Sequence, residues 1–282
     1  MKKIAVINDI SGFGRCSLTA AIPVISALGA ECCPVPTAVL SNQTGYPSYF
    51  CADCTDWLEP YLDEWDKLGV SFDAVLTGYL ASEKQAAAVA GALERFRKQG
   101  AFVAVDPVMA DDGEMYSTYN TELCERVSKL ALEADLITPN LTELCIICKE
   151  DYSELVKSAD SDLYFKKIAD MARGILSPRL KAVIVTGVRQ GQNIHNLAVT
   201  QKETFNYSVE AVGGSYSGTG DIFSSAVCAM LINGKNLERS VKVAADFIAL
   251  SIADTYKEKT DRNDGVNFQK FLGVLTDEQK QN

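Results

Sequence analysis

Residues 213–221 read Gly-Gly-Ser-Tyr-Ser-Gly-Thr-Gly-Asp, and residues 222–231 continue as an apolar run rich in small side chains. This order predicts a glycine-rich loop that opens a buried helix. Glycine lets the backbone approach a ligand closely, and the first N–H groups of a helix have no acceptor within the helix. The stretch therefore predicts a phosphate site formed by the backbone amides of Gly218, Thr219 and Gly220, with no lysine in the motif.

Asp221 lies at the start of the predicted helix, where its carboxylate can accept the proton of a hydroxyl group held beside the anion. Phosphoryl transfer to an alcohol requires such a base. On these residues alone a second interpretation is equally good, in which Asp221 caps the helix and the glycines only turn the chain. No G-x-x-x-x-G-K-S/T sequence occurs in the chain, which excludes a P-loop at the level of the motif.

Outside this stretch, short apolar runs alternate with segments of helical spacing. The runs predicted to be buried strands end in polar or glycine-containing turns and cover residues 4–7, 74–77, 102–105, 136–138 and 183–186. The clearest helix is predicted for residues 82–98, with Ser82 and Gln85 as a capping box and Gly100 as a stop signal. Strand–helix alternation of this kind predicts a mainly parallel sheet covered on both faces.

In such a sheet, ligands bind at the carboxyl ends of the strands. The residues that fall at these ends include Asp9, Tyr79, Asp106, Asn140 and Gly187. Two alternating segments around residues 201–203 predict an antiparallel hairpin at one edge of the sheet. Because no repeat, linker or change of composition divides the chain, we expect one α/β domain over residues 1–282.

Composition and charge exclude several classes of function. The 282 residues are 47% hydrophobic and 23% charged, as in ordinary globular proteins, and the formal net charge is −10. An acidic chain without a long basic run is not expected to bind nucleic acid or an anionic membrane surface. The apolar run at the N-terminus is too short for a signal peptide, and no segment has the length of a membrane span. We therefore expect a cytoplasmic protein whose nine cysteines are free thiols.

The motifs resemble those of the ribokinase-like (PfkB) superfamily and, within it, of the vitamin B6 kinases. Residues 218–221, Gly-Thr-Gly-Asp, match the superfamily signature G-[TA]-G-D, and residues 138–143, Thr-Pro-Asn-Leu-Thr-Glu, match its N-x-x-E signature. Residues 73–80 and 105–109 are similar to the corresponding segments of vitamin B6 kinases. The resemblance implies a ribokinase-like three-layer α/β sandwich and the ATP-dependent phosphorylation of the 5′-hydroxymethyl group of pyridoxal, pyridoxine or pyridoxamine.

The resemblance also implies roles for individual residues. Asp221 would be the general base, beside an anion hole at residues 218–220. The pyridine substrate would contact Asp9, Ser11, Thr44 and Tyr79. ATP would contact Asp106, Asn140, Glu143, Thr186 and Gly187, with Glu143 and Asp106 reaching Mg²⁺ through water. For Thr186 and Gly187 a simple turn at the end of a strand is an equally good interpretation. Homodimers and activation by K⁺ are likewise implied.

Two alternatives remain open. Residues 8–14, Asn-Asp-Ile-Ser-Gly-Phe-Gly, resemble the opening of hydroxymethylpyrimidine kinases more than the S-x-x-S usual in pyridoxal kinases. Asp221 favours a pyridoxal kinase, since hydroxymethylpyrimidine kinases commonly carry cysteine there. The alternative enzyme is therefore a hydroxymethylpyrimidine kinase of thiamine synthesis. The alternative from another class is a protein that binds the vitamer or a nucleotide without turnover.

The cysteine pairs suggest packing more than metal binding. Cys145 and Cys148 continue an apolar helix face after Asn140, and the pair Cys51 and Cys54 lies far away in the sequence. Structural zinc sites usually have tighter spacing between their ligand pairs. We therefore expect these thiols to pack and not to bind zinc.

The aromatic stripe of a second predicted helix suggests core packing or a subunit interface. Its members at helical spacing are Trp57, Tyr61, Trp65 and Leu68, with Pro60 near the start of the regular helix. The single histidine, His195, lies in an apolar run and is expected to be structural, which leaves a hydrolase without its usual base.

Overall fold

The computed structural model describes residues 1–161 and 163–280 of the chain. Its strands, in chain order, are β1 (Lys2–Ser11), β2 (Ala30–Leu40), β3 (Cys51–Asp53), β4 (Ala74–Thr77), β5 (Phe102–Val105), β6 (Ala110–Asp111), β7 (Glu114–Met115), β8 (Leu136–Ile137), β9 (Ala182–Gln190), β10 (Asn193–Thr200) and β11 (Thr204–Glu210).

The helices follow the strands in alternation. They are α1 (Ser17–Ala27), α2 (Thr55–Lys67), α3 (Glu83–Lys98), α4 (Thr121–Leu132), α5 (Leu141–Cys148), α6 (Tyr152–Val156), α7 (Tyr164–Gly174), α8 (Thr219–Ile232), α9 (Leu237–Lys257) and α10 (Leu272–Lys280). Short 3₁₀ turns cover Arg262–Asp264 and Phe268–Phe271. Within the described residues no helix is both long and apolar enough to cross a bilayer.

The main sheet has nine strands in the order β11-β10-β9-β8-β5-β4-β1-β2-β3. Its centre, from β9 to β2, is parallel, as the strand–helix alternation predicts. The predicted hairpin is confirmed, because β10 and β11 pair antiparallel at one edge. Strands β4 and β5 have the predicted bounds, whereas β1 continues past Asn8 to Ser11, with a shift in its pairing to β2 between Asn8 and Ile10.

Helices cover both faces of the sheet, which gives the expected three-layer architecture. Successive residues of β1 alternate between two cores: Ala5 and Ile7 pack in the core with helices α2–α5 and α7, while Ile4 and Val6 pack with α1, α8, α9 and α10. Because side chains alternate across a strand, a parallel strand buried on both faces reads as a continuous apolar run. This is why β1, β4 and β5 are recognisable in the sequence.

The start of α3 differs in one detail from the predicted capping box. Ser82 caps the helix, since its side chain accepts a hydrogen bond from the Gln85 N–H at 3.2 Å. The Gln85 side chain does not return this bond to Ser82 and accepts instead from the Ala81 N–H at 2.7 Å. The reason is that its Nε2 donates to the carbonyl of Thr37 at 2.8 Å, which draws the amide toward β2.

The aromatic stripe on α2 does not form a single buried face. Its buried side chains are Leu58 and Leu62, and Pro60 lies inside the helix and not near its start. Among the predicted stripe, Trp65 packs against Phe72, with ring centroids 4.8 Å apart. The others, Trp57, Tyr61 and Leu68, are exposed. Core packing therefore holds for Trp65 alone.

The cysteines occupy different environments. Cys145 lies in the core beside Leu144, as predicted, and Cys148 packs at the margin of the same core. Cys54 is buried and Cys51 is exposed. The face that α5 presents to the core thus includes cysteine, which behaves there as a small apolar residue.

Asp135 connects neighbouring elements at the amino ends of the strands, opposite the predicted ligand sites. Its carboxylate accepts hydrogen bonds from the Val103 N–H, Arg97 Nη1 and Lys181 Nζ, each at 3.0 Å. Burial by itself would raise the pKa of Asp135, but the Val103 N–H and the two cations lower it below its ordinary value. The contact is therefore stabilising at neutral pH, and its contribution is lost as the pH falls through the lowered pKa.

We predict that Asp135→Ala lowers the free energy of unfolding by about 3 kcal/mol, because it leaves the buried Val103 N–H without its acceptor and removes the carboxylate that faces Arg97 and Lys181. Urea unfolding near neutral pH measures the change, and the difference from the wild type should shrink in acid. A loss below about 1 kcal/mol would mean that the contact is no stronger than an exposed ion pair.

Candidate active site

Two hydrogen bonds hold the side chain of Asp221 at the first turn of α8. Its Oδ1 accepts a hydrogen bond from Asn8 Nδ2 at 2.9 Å, and its Oδ2 accepts one from the Ser17 N–H at 2.8 Å. Burial raises the pKa of Asp221, and the bonds from Ser17 and Asn8 oppose that rise. Each carboxylate oxygen keeps acceptor capacity for a further proton donor. Asp221 is thus oriented by the protein and still able to accept a proton.

The glycine loop ends at Gly218, which has φ +81° and is the N-cap of α8. A Cβ atom at this position would lie 2.1 Å from the Arg15 carbonyl oxygen, so only glycine fits between the loop and the β1–α1 connection. Gly218 itself has no side chain with which to cap the first N–H groups of α8. These donors, with the positive end of the helix dipole behind them, suit an anion such as a phosphate.

Two buried carboxyl groups lie close to this turn. A Cβ atom at Gly220 would be 3.6 Å from Asp106 Oδ2, which places Asp106 directly behind the glycine motif. Burial raises the pKa of Asp106, and the charge of Asp221 raises it further. Burial also raises the pKa of Glu143, helped by the charge of Asp106. The site therefore brings carboxyl groups together in a poorly hydrated place that disfavours their charged forms.

Glu143 has a second role in the local fold. Its Oε2 accepts from the Asn140 N–H at 2.8 Å, and the Asn140 side chain accepts from the Glu143 N–H at 2.9 Å. This reciprocal pair is a complete capping box at the start of α5. Glu143 Oε1 accepts from the Met109 N–H at 3.1 Å. A metal ion can therefore use only the remaining lone pairs of this carboxylate.

Three of the four predicted substrate residues lie at the ends of neighbouring strands. Asp9 is buried, and the Ser11 hydroxyl donates to its Oδ2 at 3.0 Å. Burial raises the pKa of Asp9 to about 6. Tyr79 follows β4, and its ring packs edge-on against Tyr119, with centroids 5.9 Å apart. Asp9 and Tyr79 are joined through Asn8, whose Oδ1 accepts both of their N–H groups at 3.0 and 2.9 Å.

Thr44, the fourth predicted substrate residue, is exposed in the loop between β2 and β3. This loop is held against residues 261–265: Gln43 Nε2 donates to the Asn263 carbonyl at 3.2 Å, and the Tyr46 hydroxyl donates to Asp264. The Asp264 and Gly265 carbonyls accept in turn from Arg15. The structure thus ties the Thr44 loop to the segment that packs on Gly218, without placing Thr44 in the buried network.

The remaining predicted nucleotide residues lie further along the same sheet edge. Asn140 and Thr186 form an isolated parallel bridge just beyond the residues where β8 pairs with β9. Gly187 is exposed and has φ +69°. An exposed, left-handed glycine beside the bridge is compatible both with a nucleotide contact and with a simple bend in β9.

Sequence reasoning missed Asn8 and Ser17, the two residues that clamp Asp221. Asn8 carried a weak signal, since it is the first polar residue after the apolar run of β1. Ser17 carried none, because its contribution is a backbone N–H presented with φ +50°. A third missed residue, Thr37, donates from its hydroxyl to the Tyr79 carbonyl at 3.0 Å and supports the substrate side.

The chain is similar in sequence to several known kinases. The family model for phosphomethylpyrimidine kinase matches residues 14–266. The chain is 30% identical over 255 residues to the pyridoxine/pyridoxal/pyridoxamine kinase of Bordetella avium, which covers 86% of this chain and 82% of that protein. It is 28% identical over 187 residues to the hydroxymethylpyrimidine/phosphomethylpyrimidine kinase of Aquifex aeolicus, covering 65% and 68% of the two chains.

A solved structure from Bacteroides thetaiotaomicron shares the architecture throughout. It is described as a candidate phosphomethylpyrimidine kinase and was crystallised with pyridoxal. The TM-score is 0.90 with 35% sequence identity, over 97% of this chain and 95% of the other. The three-layer arrangement with a mainly parallel sheet and an edge hairpin is therefore shared with a protein that binds pyridoxal.

We predict that Gly218→Ala lowers the free energy of unfolding by about 2 kcal/mol and the melting temperature by several degrees. The reason is that the added methyl group collides with the Arg15 carbonyl at a left-handed backbone position. The matched control is Gly214→Ala, since no atom lies within 4 Å of a Cβ there and its φ is not left-handed. Equal melting temperatures for the two variants would contradict the packing described for this loop.

We also predict that Asp106→Asn raises the melting temperature of the ligand-free protein near pH 8 by at least about 2 °C. Above its raised pKa, the Asp106 carboxylate is charged in a site that disfavours charge, and the amide removes that cost. The gain should disappear as the pH falls through the raised pKa toward the ordinary value of 3.8, because Asp106 is then protonated. Asp277→Asn, on the surface, is the control. A lower melting temperature at pH 8 would contradict the unfavourable charge.

Proposed function

The chain belongs to the phosphomethylpyrimidine kinase family of ribokinase-like enzymes, and within this family we propose that it is a pyridoxal kinase. It would transfer the γ-phosphoryl group of ATP to the 5′-hydroxymethyl group of pyridoxal, pyridoxine or pyridoxamine. The observation that carries the proposal is the position of Asp221. One hydrogen-bonded network joins this carboxylate to the strand ends that carry Asp9 and Tyr79, while its own helix presents an uncapped N-terminus.

The chemistry follows from these positions. The hydroxymethyl group of the substrate would lie beside Asp221, which would accept its proton as the oxygen attacks the γ-phosphorus and the bond from that phosphorus to ADP breaks. The N–H groups of residues 218–220 would donate to the oxygens of the transferred group, which carry the charge of the transition state. Asp9, Ser11 and Tyr79 would hold the pyridine ring, with Thr44 contributing from its loop.

The nucleotide would occupy the edge formed by Asn140, Thr186 and Gly187, with its phosphates directed at α8. The residues present fit a magnesium ion, which Asp106 and Glu143 would hold. Asp106 and Glu143 are carboxylates, the donors that Mg²⁺ prefers, and it commonly retains several waters in such sites. Glu143 already accepts two backbone bonds, which favours contact through water. The bound ion supplies positive charge to the phosphates.

A hydroxymethylpyrimidine kinase is the second candidate. Two observations favour it: the chain is 28% identical over 187 residues to a relative named hydroxymethylpyrimidine/phosphomethylpyrimidine kinase, and residues 8–14 resemble the opening of hydroxymethylpyrimidine kinases. Asp221 and the coverage of the Bordetella avium enzyme favour pyridoxal. Homodimerisation and activation by K⁺ stay predictions of the family resemblance, and a cytoplasmic location stays a prediction from the sequence.

We predict that the purified protein phosphorylates pyridoxal with ATP and Mg²⁺ at a higher kcat/KM than 4-amino-5-hydroxymethyl-2-methylpyrimidine, and that Asp221→Asn lowers kcat for pyridoxal by at least about 10²-fold. A coupled assay for ADP, with identification of pyridoxal 5′-phosphate by mass spectrometry, measures both effects. A reversed substrate preference would select the second candidate. Binding of pyridoxal without any transfer would select the non-catalytic alternative, and full activity of Asp221→Asn would exclude it as the base.

A further inference from the structure

Asn8 makes hydrogen bonds to three parts of the proposed site. Its Nδ2 donates to Asp221 Oδ1 at 2.9 Å, and its Oδ1 accepts from the N–H groups of Asp9 and Tyr79 at 3.0 and 2.9 Å. The residue is 4% exposed. A buried amide with its donor and acceptor both engaged is held in one orientation, because rotating it would face two N–H groups with an NH₂ group and Asp221 with an oxygen.

The backbone around Asn8 is adapted to this arrangement. The pairing of β1 with β2 shifts between Asn8 and Ile10, and such irregularities redirect side chains near functional sites. Gly78 leaves room for the amide, since a Cβ atom there would lie 2.4 Å from Asn8 Nδ2. Glycine at position 78 is therefore required for the observed position of Asn8, although Gly78 does not have a left-handed backbone.

We propose that Asn8 is a positioning residue for catalysis: it fixes the carboxylate of Asp221 relative to the strand ends that hold the substrate. This inference rests on the proposed kinase function and assigns a role that acts only through Asp221. The chain separation explains why a tether is needed, because Asn8 and Asp221 lie 213 residues apart and belong to different layers of the fold. Without the amide, the Ser17 N–H would be the one hydrogen-bond donor among residues 1–161 and 163–280 left to orient the base.

The geometry also explains why asparagine serves here. The position needs one donor toward a carboxylate and one acceptor toward two N–H groups on opposite sides of a planar group. An ionised aspartate offers no donor, and serine is too short to reach all partners from the same strand position. Asn8 thereby couples base and substrate without adding a charge to an acidic site.

The test is a double-mutant cycle. We expect Asn8→Ala to lower kcat for pyridoxal by about 10²-fold with KM values for pyridoxal and ATP within about threefold of the wild type, because a misplaced base affects the chemical step. In the Asp221→Asn background, adding Asn8→Ala should lower kcat by less than about threefold, since the residue through which Asn8 acts is already lost. Gly78→Ala, which displaces the amide without removing it, should reproduce the loss in kcat.

The matched control is Asn120→Ala. Asn120 Nδ2 also donates to a carboxylate, that of Glu83 at 2.9 Å, and its Oδ1 also accepts a backbone N–H, that of Leu123 at 2.8 Å. Because Asn120 is the N-cap of α4, the variant should unfold at a lower urea concentration than the wild type, with kcat unchanged. This variant reports what a loss of stability alone does to the assay.

Several results would overturn the inference. The first is an equal loss of kcat from Asn8→Ala in both backgrounds, as a purely structural role requires. Others are a rise in KM with unchanged kcat, and full activity of Gly78→Ala. If Asn8→Ala does not fold, Gly78→Ala in both backgrounds completes the same cycle. Failure of the proposed function is distinct, because the wild type itself would then transfer no phosphate to pyridoxal. If the wild type phosphorylates only the hydroxymethylpyrimidine, the same double-mutant cycle is measured with that substrate.

Discussion

Four acidic side chains converge at the carboxyl ends of the central strands: Asp9, Asp106, Glu143 and Asp221. Burial raises the pKa of each, and no lysine or arginine within residues 1–161 and 163–280 is among the groups that shift them. Burying a charged group is unfavourable unless the group is paired with an opposite charge or hydrogen-bonded. The chain meets this constraint with hydrogen bonds to the carboxylates and, under the proposed function, with a cation that arrives with the nucleotide.

The rest of the fold serves this arrangement. A parallel sheet brings the ends of β1, β4, β5 and β8 to one edge, so that residues far apart in sequence meet there. The helix α8 adds positive backbone dipoles without a positive side chain, and Gly218 allows it to begin against the β1–α1 connection. An acidic protein can in this way hold a triphosphate through backbone amides.

Much of this could be predicted from the sequence. Continuous apolar runs identified β4 and β5 at their observed bounds, because strands buried on both faces need them. The glycine motif placed Asp221 at the start of a buried helix, because few residues other than glycine permit that turn. The outward face of α2 could not be predicted, since an aromatic stripe at helical spacing does not say which side meets the core.

The contacts that orient the site were beyond sequence reasoning. The hydrogen bond from Asn8 to Asp221 joins the end of β1 to the start of α8, which the folded sheet brings together. The contact from Ser17 depends on a backbone conformation and not on a side chain. Glu143 was expected near a metal, and the structure adds that it caps α5, a role that the N-x-x-E spacing contained but did not reveal. Tertiary geometry decides the contacts of Asn8 and Ser17 with Asp221, whereas the capping box of α5 is local.

Under the proposed kinase function, the site compensates its own negative charge with an ion that binds alongside ATP. Isothermal titration of ATP into the protein, once with excess Mg²⁺ and once with EDTA, measures this compensation. We expect clear binding with Mg²⁺ and at least about tenfold weaker binding in EDTA, a difference of about 1.4 kcal/mol or more. Equal affinity under the two conditions would contradict it, because the buried carboxylates would then tolerate the bare triphosphate.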